Sequence, residues 1–174
     1  LQARWNWVAA LGVIEFGVAL SALAGPYLLS LLPDTYAAVQ SGVPWLQAHP
    51  DTSTALLLAL ALAPLTLLLG VSFPVATQAI TQGSREPMKL LGWMSAANTT
   101  GALAGSLLAG FVLMPLLGSQ HSLVLLAAAN AAAAAWLLWP SLRTSSRRLA
   151  LAVVPAAVVL LPLGAPDMLR TVYK

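Results

Sequence analysis

Between Trp7 and Leu32 the only charged residue is Glu15, and between Thr54 and Ile80 there is none. Apolar runs of this length match the roughly 20 residues that a helix needs to cross bilayer hydrocarbon. They constrain the fold more than any other feature of the chain. A soluble domain carries about 25% charged residues, whereas this 174-residue chain carries 7%, with 59% hydrophobic residues and a mean hydropathy of +0.84. So few charges cannot clothe a water-facing surface, so a water-soluble globular enzyme is excluded and an integral membrane protein is expected.

Five segments approach the spanning length, over about 7–32, 54–80, 90–117, 122–139 and 149–164. The fifth is short and holds Pro155 and Pro162, so it either spans, re-enters or lies at the interface. Helices are expected because each backbone N–H and C=O must be satisfied within its own segment. A membrane β-barrel would need alternating strands of about 10 residues, and the run from Leu56 to Leu62 does not alternate. The fold class expected is therefore an all-α integral membrane protein. It forms a single membrane domain over 1–174, a bundle of about five transmembrane helices.

Charge placement suggests an orientation. Arg4, the pair Arg85 and Lys89, and the trio Arg143, Arg147 and Arg148 fall on alternate connections, whereas residues 33–53 hold Asp34 and Asp51 with no Lys or Arg. By the positive-inside rule the N-terminal side is cytoplasmic and 33–53 is an external loop. Trp5, Trp7, Trp93, Trp136 and Trp139 then form an aromatic belt at the cytoplasmic helix ends, with Trp45 opposite. Within 33–53, Tyr36, Val39, Val43, Trp45 and Leu46 suit either a short helix on the membrane surface or a plain loop. Asp51, Thr52 or Ser53 is suited to cap the helix that follows. Location in a cell membrane, the bacterial inner membrane, is expected.

Glu15 is the leading candidate for function, since an intramembrane carboxylate is costly and by default functional. At 1.5 Å rise per residue, Glu15 from Trp7, Asn98 from Leu90 and Pro74 from Gln82 each lie about 12 Å deep, and Asn130 lies about 15 Å from Pro140. Pro74 has no N–H and frees the carbonyl of Gly70. Glu15, Asn98, Asn130, Gly70 and Pro74 therefore read as a polar midplane layer for a substrate or ion. The competing reading is structural: Glu15 hydrogen-bonds Asn98 or a carbonyl as interhelical glue, a bond worth about 0.6 kcal/mol on average. Pro64 and Pro74 suit either a gating helix or an ordinarily bent one.

The third segment carries a small-residue ridge. Ala97, Gly101, Gly105 and Ala109 recur every four residues, with Asn98, Ala102, Ser106 and Gly110 beside them and GxxxG at Gly101–Gly105. Such ridges let helix backbones approach closely, so Gly105→Leu is expected to disrupt assembly. Asn98-Thr99-Thr100 matches a glycosylation sequon, but its depth argues against use. The alanine-rich run 126–135 reads as smooth helix surface in lipid.

Without cysteine and with only His49 and His121, the chain offers no thiolate or histidine-rich metal site. It has no catalytic triad at plausible depth and no nucleotide-binding motif. No catalytic residue, metal or cofactor is expected, and no nucleic acid. The expected partners are the lipid bilayer and other transmembrane helices, of the same or another chain.

Three stretches together resemble the transmembrane region of membrane-bound spermidine synthase-like proteins, polyamine aminopropyltransferases fused to a transporter-like helical domain. They are Val13-Ile14-Glu15-Phe16-Gly17-Val18-Ala19-Leu20, then Pro64 with Gly70-Val71-Ser72-Phe73-Pro74, and then Ala97-Asn98-Thr99-Thr100-Gly101 running through Gly105, Gly110 and Phe111 to Pro115 and Gly118. The third is the most specific. The likeness covers roughly 7–140 and departs at Ser95, where that family often has tyrosine. It implies a larger transporter-like helical domain with helices before residue 1. It also implies a soluble transferase domain after Lys174, joined through 165–174, and a role in anchoring and in moving polyamine or a related cation. If the fifth segment spans, Lys174 emerges outside, which conflicts with a cytosolic transferase. Two other readings stand beside this one: a fragment of a major-facilitator-like transporter with no enzyme, and a structural membrane subunit packing through 90–117.

Overall fold

The computed structural model describes residues 6–141. Among them every element is helical, and three helices are long and apolar enough to cross a membrane: Trp7–Ser30, Pro50–Thr81 and Pro87–Ser141. Arg4, Trp5, the arginines at 143, 147 and 148, the segment 149–164 and the link 165–174 lie outside the described residues.

Helix α1 (Trp7–Ser30) starts at Asn6, whose side-chain oxygen accepts from the Ala9 N–H at 3.1 Å. That bond satisfies one of the orphan donors of the first turn. The Asn6 amide also donates to Ser141 Oγ at 3.1 Å, so one residue caps α1 and ties it to the last described turn. The span continues through Gly25-Pro26 to Ser30.

The connection over 33–53, which by sequence suits either a short surface helix or a plain loop, is helical. Helices α2 (Leu32–Gly42) and α3 (Pro44–Ala48) fill it, each with proline at the first or second position, where a missing N–H costs nothing. Helix α4 (Pro50–Thr81) then begins at Pro50, earlier than expected, and no side chain caps it. With proline already in the first turn, Ser53 lies inside the helix and cannot cap it. Ser53 is fully buried, donates to the Pro50 carbonyl at 2.8 Å and accepts from the Gln40 amide at 3.0 Å. Gln40 also donates to the Leu46 carbonyl, so its one amide holds α2, α3 and the start of α4 together.

Leu32 and Tyr36 lie near Thr54 and Leu58 at one end, and Gly17 lies against Leu68 further along, so α4 runs antiparallel to α1. The pairs Asn6–Ser141 and Gly12–Leu138 set α1 antiparallel to helix α6 (Met114–Leu138) in the same way. Helix α1 thus packs against both α4 and α6.

Small residues build the core. Val18, Ala19, Ala127, Ala131 and Ala134 are buried, while Leu67, Phe111, Leu116 and Trp136 are each more than two-thirds exposed. Large apolar groups outside and small ones between helices is the pattern that lipid permits. With apolar solvent outside, tight backbone approach and dispersion contacts hold helices together. The alanine-rich run is accordingly more than smooth surface. Ala127, Ala131 and Ala134, spaced i, i+4, i+7, form the face of α6 that docks on α1.

Helix α5 (Pro87–Leu108) follows a turn at Gly83, meets α4 through Thr77 and Met94, and otherwise stands apart. A π-helical segment, Ala109–Leu113, continues it into α6. Its position fits Pro115, which cannot donate to the Phe111 carbonyl and displaces the ring of hydrogen bonds. At Gly118 the backbone leaves helical geometry (φ 72, ψ 173), and the chain turns there to bring the alanine face onto α1.

Candidate functional site

Glu15 lies on the packed side of α1. At 100° per residue its direction falls between those of Val18 and Ala19, which are 3% and 0% exposed, and nearly opposite Val13 and Leu20, which are 62% and 49% exposed. The carboxyl is itself half-buried. Among the described residues it makes no hydrogen bond or ion pair. The one ion pair found there is Lys89–Glu86 at 3.1 Å, on the surface. The interhelical bond from Glu15 to Asn98 is therefore not formed.

The helix registers set what shares its depth. Gly17 against Leu68 puts Glu15 level with Gly70, and Gly12 against Leu137 and Leu138 puts it near Ala134. Asn130 then lies about 6 Å from the Glu15 level toward α2. Carried across through Thr77 and Met94, Asn98 lies about 4.5 Å toward the Asn6 end, and Pro74 about 6 Å.

Level does not mean adjacent. Gly70 and Pro74 are exposed and lie about 200° and 240° round α4 from Leu68. Among the described residues nothing outside the helix's own backbone would meet a Cβ at Gly70. The carbonyl that Pro74 frees is thus on the far side of α4 from Glu15. Asn98 is exposed on α5. Asn130 is half-buried, one turn before Ala134 at the edge of the α6 face toward α1. Of the five candidates, the fold draws Glu15 and Asn130 onto the packed α1–α6 layer and leaves Asn98, Gly70 and Pro74 outside it.

Ser72 lies on the α1-facing side of α4 but is not beside Glu15, since Gly17, which meets Leu68, is about 160° round α1 from Glu15. Ser72 is half-buried, about 40° from the direction of Leu68 and about 3 Å from the Glu15 level. Its hydroxyl donates to the Leu69 carbonyl at 2.9 Å, leaving its lone pairs to accept. Sequence reasoning passed over this residue, although it sits inside the Gly-Val-Ser-Phe-Pro stretch. Which side of α4 meets α1 is invisible in an all-round apolar helix.

Glu15 and Asn130 supply a carboxyl and an amide, oxygen acceptors suited to a cation, and among the described residues no Lys or Arg pairs with them. Among the described residues no three or more His, Asp or Glu converge to hold a metal ion. The small-residue ridge of α5 is also placed: Ala97, Gly101 and Gly105 are exposed and Ala109 is half-buried. Among the described residues nothing outside the helix's own backbone would meet a Cβ at Gly101 or Gly105. The close approaches in the described bundle are instead at Gly12 and Gly17. In comparisons with known proteins, no family model, no curated protein and no solved structure matches this chain.

Proposed function

We propose that this chain is the membrane domain of a spermidine synthase-like fusion protein, and that it anchors that protein and moves a polyamine or related cation past Glu15. The observation that carries this reading is the Glu15 carboxyl on the packed face of α1, unpaired among the described residues. A carboxylate withdrawn from water without a partner is costly, and a cationic substrate passing between α1, α4 and α6 offsets that cost. Asn130 supplies a further acceptor on the α6 side of that path.

The test is uptake of radiolabelled spermidine into vesicles reconstituted with the full chain. Glu15→Gln is expected to lower the initial rate about tenfold, equivalent to about 1.4 kcal/mol, with Glu15→Asp retaining part of it. Equal uptake by wild type and Glu15→Gln rejects the role of Glu15. Uptake no faster than in protein-free vesicles rejects transport altogether.

The proposed setting is the bacterial inner membrane with the Asn6 end in the cytoplasm. Arg85 and Lys89 share that end, while Asp34 and Asp51 lie at the other, in keeping with the positive-inside rule. The chain lacks cysteine, so single cysteines report its orientation directly. In spheroplasts an impermeant maleimide is expected to label Gln47→Cys at once and Gln82→Cys only after lysis; the reverse pattern inverts the topology.

The exposed ridge of α5 favours a second reading, a structural subunit that packs through this helix. A major-facilitator-like transporter without an enzyme shares the Glu15 prediction and differs in lacking a transferase domain.

A further inference from the structure

At the end of the bundle away from Asn6, α2 and α4 enclose a cleft of about 240 Å³ lined by Leu32, Pro33, Tyr36, Thr54, Leu57 and Leu58. Its wall is almost wholly apolar, and it lies where the apolar span of α1 gives way to α2. An apolar cavity of about 150 Å³ accommodates a benzene-sized group, so this cleft has room for a length of alkyl chain. Its polar atoms are two hydroxyls. Thr54 already donates to the Pro50 carbonyl at 2.9 Å. The Tyr36 hydroxyl has no partner among the described residues.

Charge at the mouth is one-sided. Asp51 stands one turn outward from Thr54 on the same face of α4, at about 60° from its direction. Asp34 follows Pro33 directly. No Lys or Arg occurs between Trp5 and Ser84, and among the described residues this end of the bundle holds none. The side-chain charges at this end are carboxylates, so a cationic head finds Asp51 within a turn and the Tyr36 hydroxyl as an acceptor, an attraction set against the partial positive charge of the α2 and α4 N-termini.

We infer that this cleft is a binding site for a single-chain amphiphile with an ammonium head, its tail along Leu32, Leu57 and Leu58 and its head toward Tyr36 and Asp51. The site is distinct from Glu15 and does not depend on the transport reading.

The test uses the full chain in neutral detergent with a dodecylamine that carries a photoactivatable diazirine in its tail. After illumination and peptide mapping, the label is expected on 32–36 and 54–58. Unlabelled dodecylammonium is expected to compete about tenfold better than dodecyl sulfate. Leu57→Trp, which fills the cleft, is expected to remove the label. Asp51→Asn, a change at an exposed position that leaves the core untouched, is expected to erase the preference for the cationic competitor. Label spread evenly over lipid-facing Leu60, Leu67 and Leu69 overturns the proposal. So does equal competition by dodecyl sulfate, a cation preference that survives Asp51→Asn, or labelling that survives a folded Leu57→Trp.

Discussion

Gly12→Leu is expected to force α1 and α6 apart. A Cβ built at Gly12 would lie 2.7 Å from Leu138 Cγ and 3.2 Å from Leu137 Cβ, so even the first added carbon is too close. Three further carbons have nowhere to go between two backbones held together by small residues. Overpacking of this kind costs about 1–3 kcal/mol. In lipid the loss is not recovered by hydrophobic burial elsewhere, because the displaced surfaces meet hydrocarbon either way. The Asn6–Ser141 bond, one and a half turns away, is expected to be lost with it. Unfolding in detergent, followed by circular dichroism against denaturant, measures the effect. Gly105→Leu is the control. Nothing described lies near Gly105, so the same substitution there is expected to change stability by no more than about 0.5 kcal/mol. Any change in particle mass with that variant then reports the α5 ridge docking on a partner. If the two variants unfold alike, the close approach at Gly12 is not what holds α1 to α6.

Gly118→Val is expected to be comparably damaging for a different reason. A Cβ at this position would meet no atom within 4 Å, so space is not the obstacle. The backbone is, since its φ of 72 and ψ of 173 fall in a region essentially reserved for glycine, and a side chain there costs about 1–3 kcal/mol. The hydroxyl of Ser122 donates to the Gly118 carbonyl at 2.6 Å and fixes the turn from its far side. A residue that cannot adopt this geometry straightens the chain and lifts Ala127, Ala131 and Ala134 away from α1. Gly92→Ala is the reference. Gly92 is inside α5 with no positive φ and no neighbour, so that change is expected to stabilise its helix by about 0.5–1 kcal/mol. Limited proteolysis around 115–122 gives the readout, with faster cleavage expected in Gly118→Val alone. Equal protection of both variants rejects a glycine-dependent turn.

Much of the layout was legible in the chain because it follows from solvent. Long apolar runs and the sparse charges give membrane helices and their approximate limits without any contact being known. The N-cap at Asn6 was not read from the sequence, and neither was its second bond to Ser141. The helical character of 33–53 was left open, since eleven-residue and five-residue helices depend on the Gln40–Ser53 staple. The direction in which each helix faces was hidden. When every side of a helix is apolar, periodicity carries no contrast, and a run of alanines carries least of all. The ridge on α5 was visible because its glycines recur, and it meets nothing in the described bundle. The alanine face of α6 showed no such rhythm, yet it makes the contact.

The sequence by itself determined the medium and the long helices, because transfer of apolar side chains and satisfaction of backbone polar groups are properties of each segment alone. Only the tertiary structure decided which faces meet. It set Glu15 on the packed face between Val18 and Ala19, with no partner among the described residues, and turned Gly70 and Pro74 away. The physical reason is that helix rotation in lipid is fixed by shape, by where two backbones can come close, and that is a joint property of two surfaces which neither sequence segment contains.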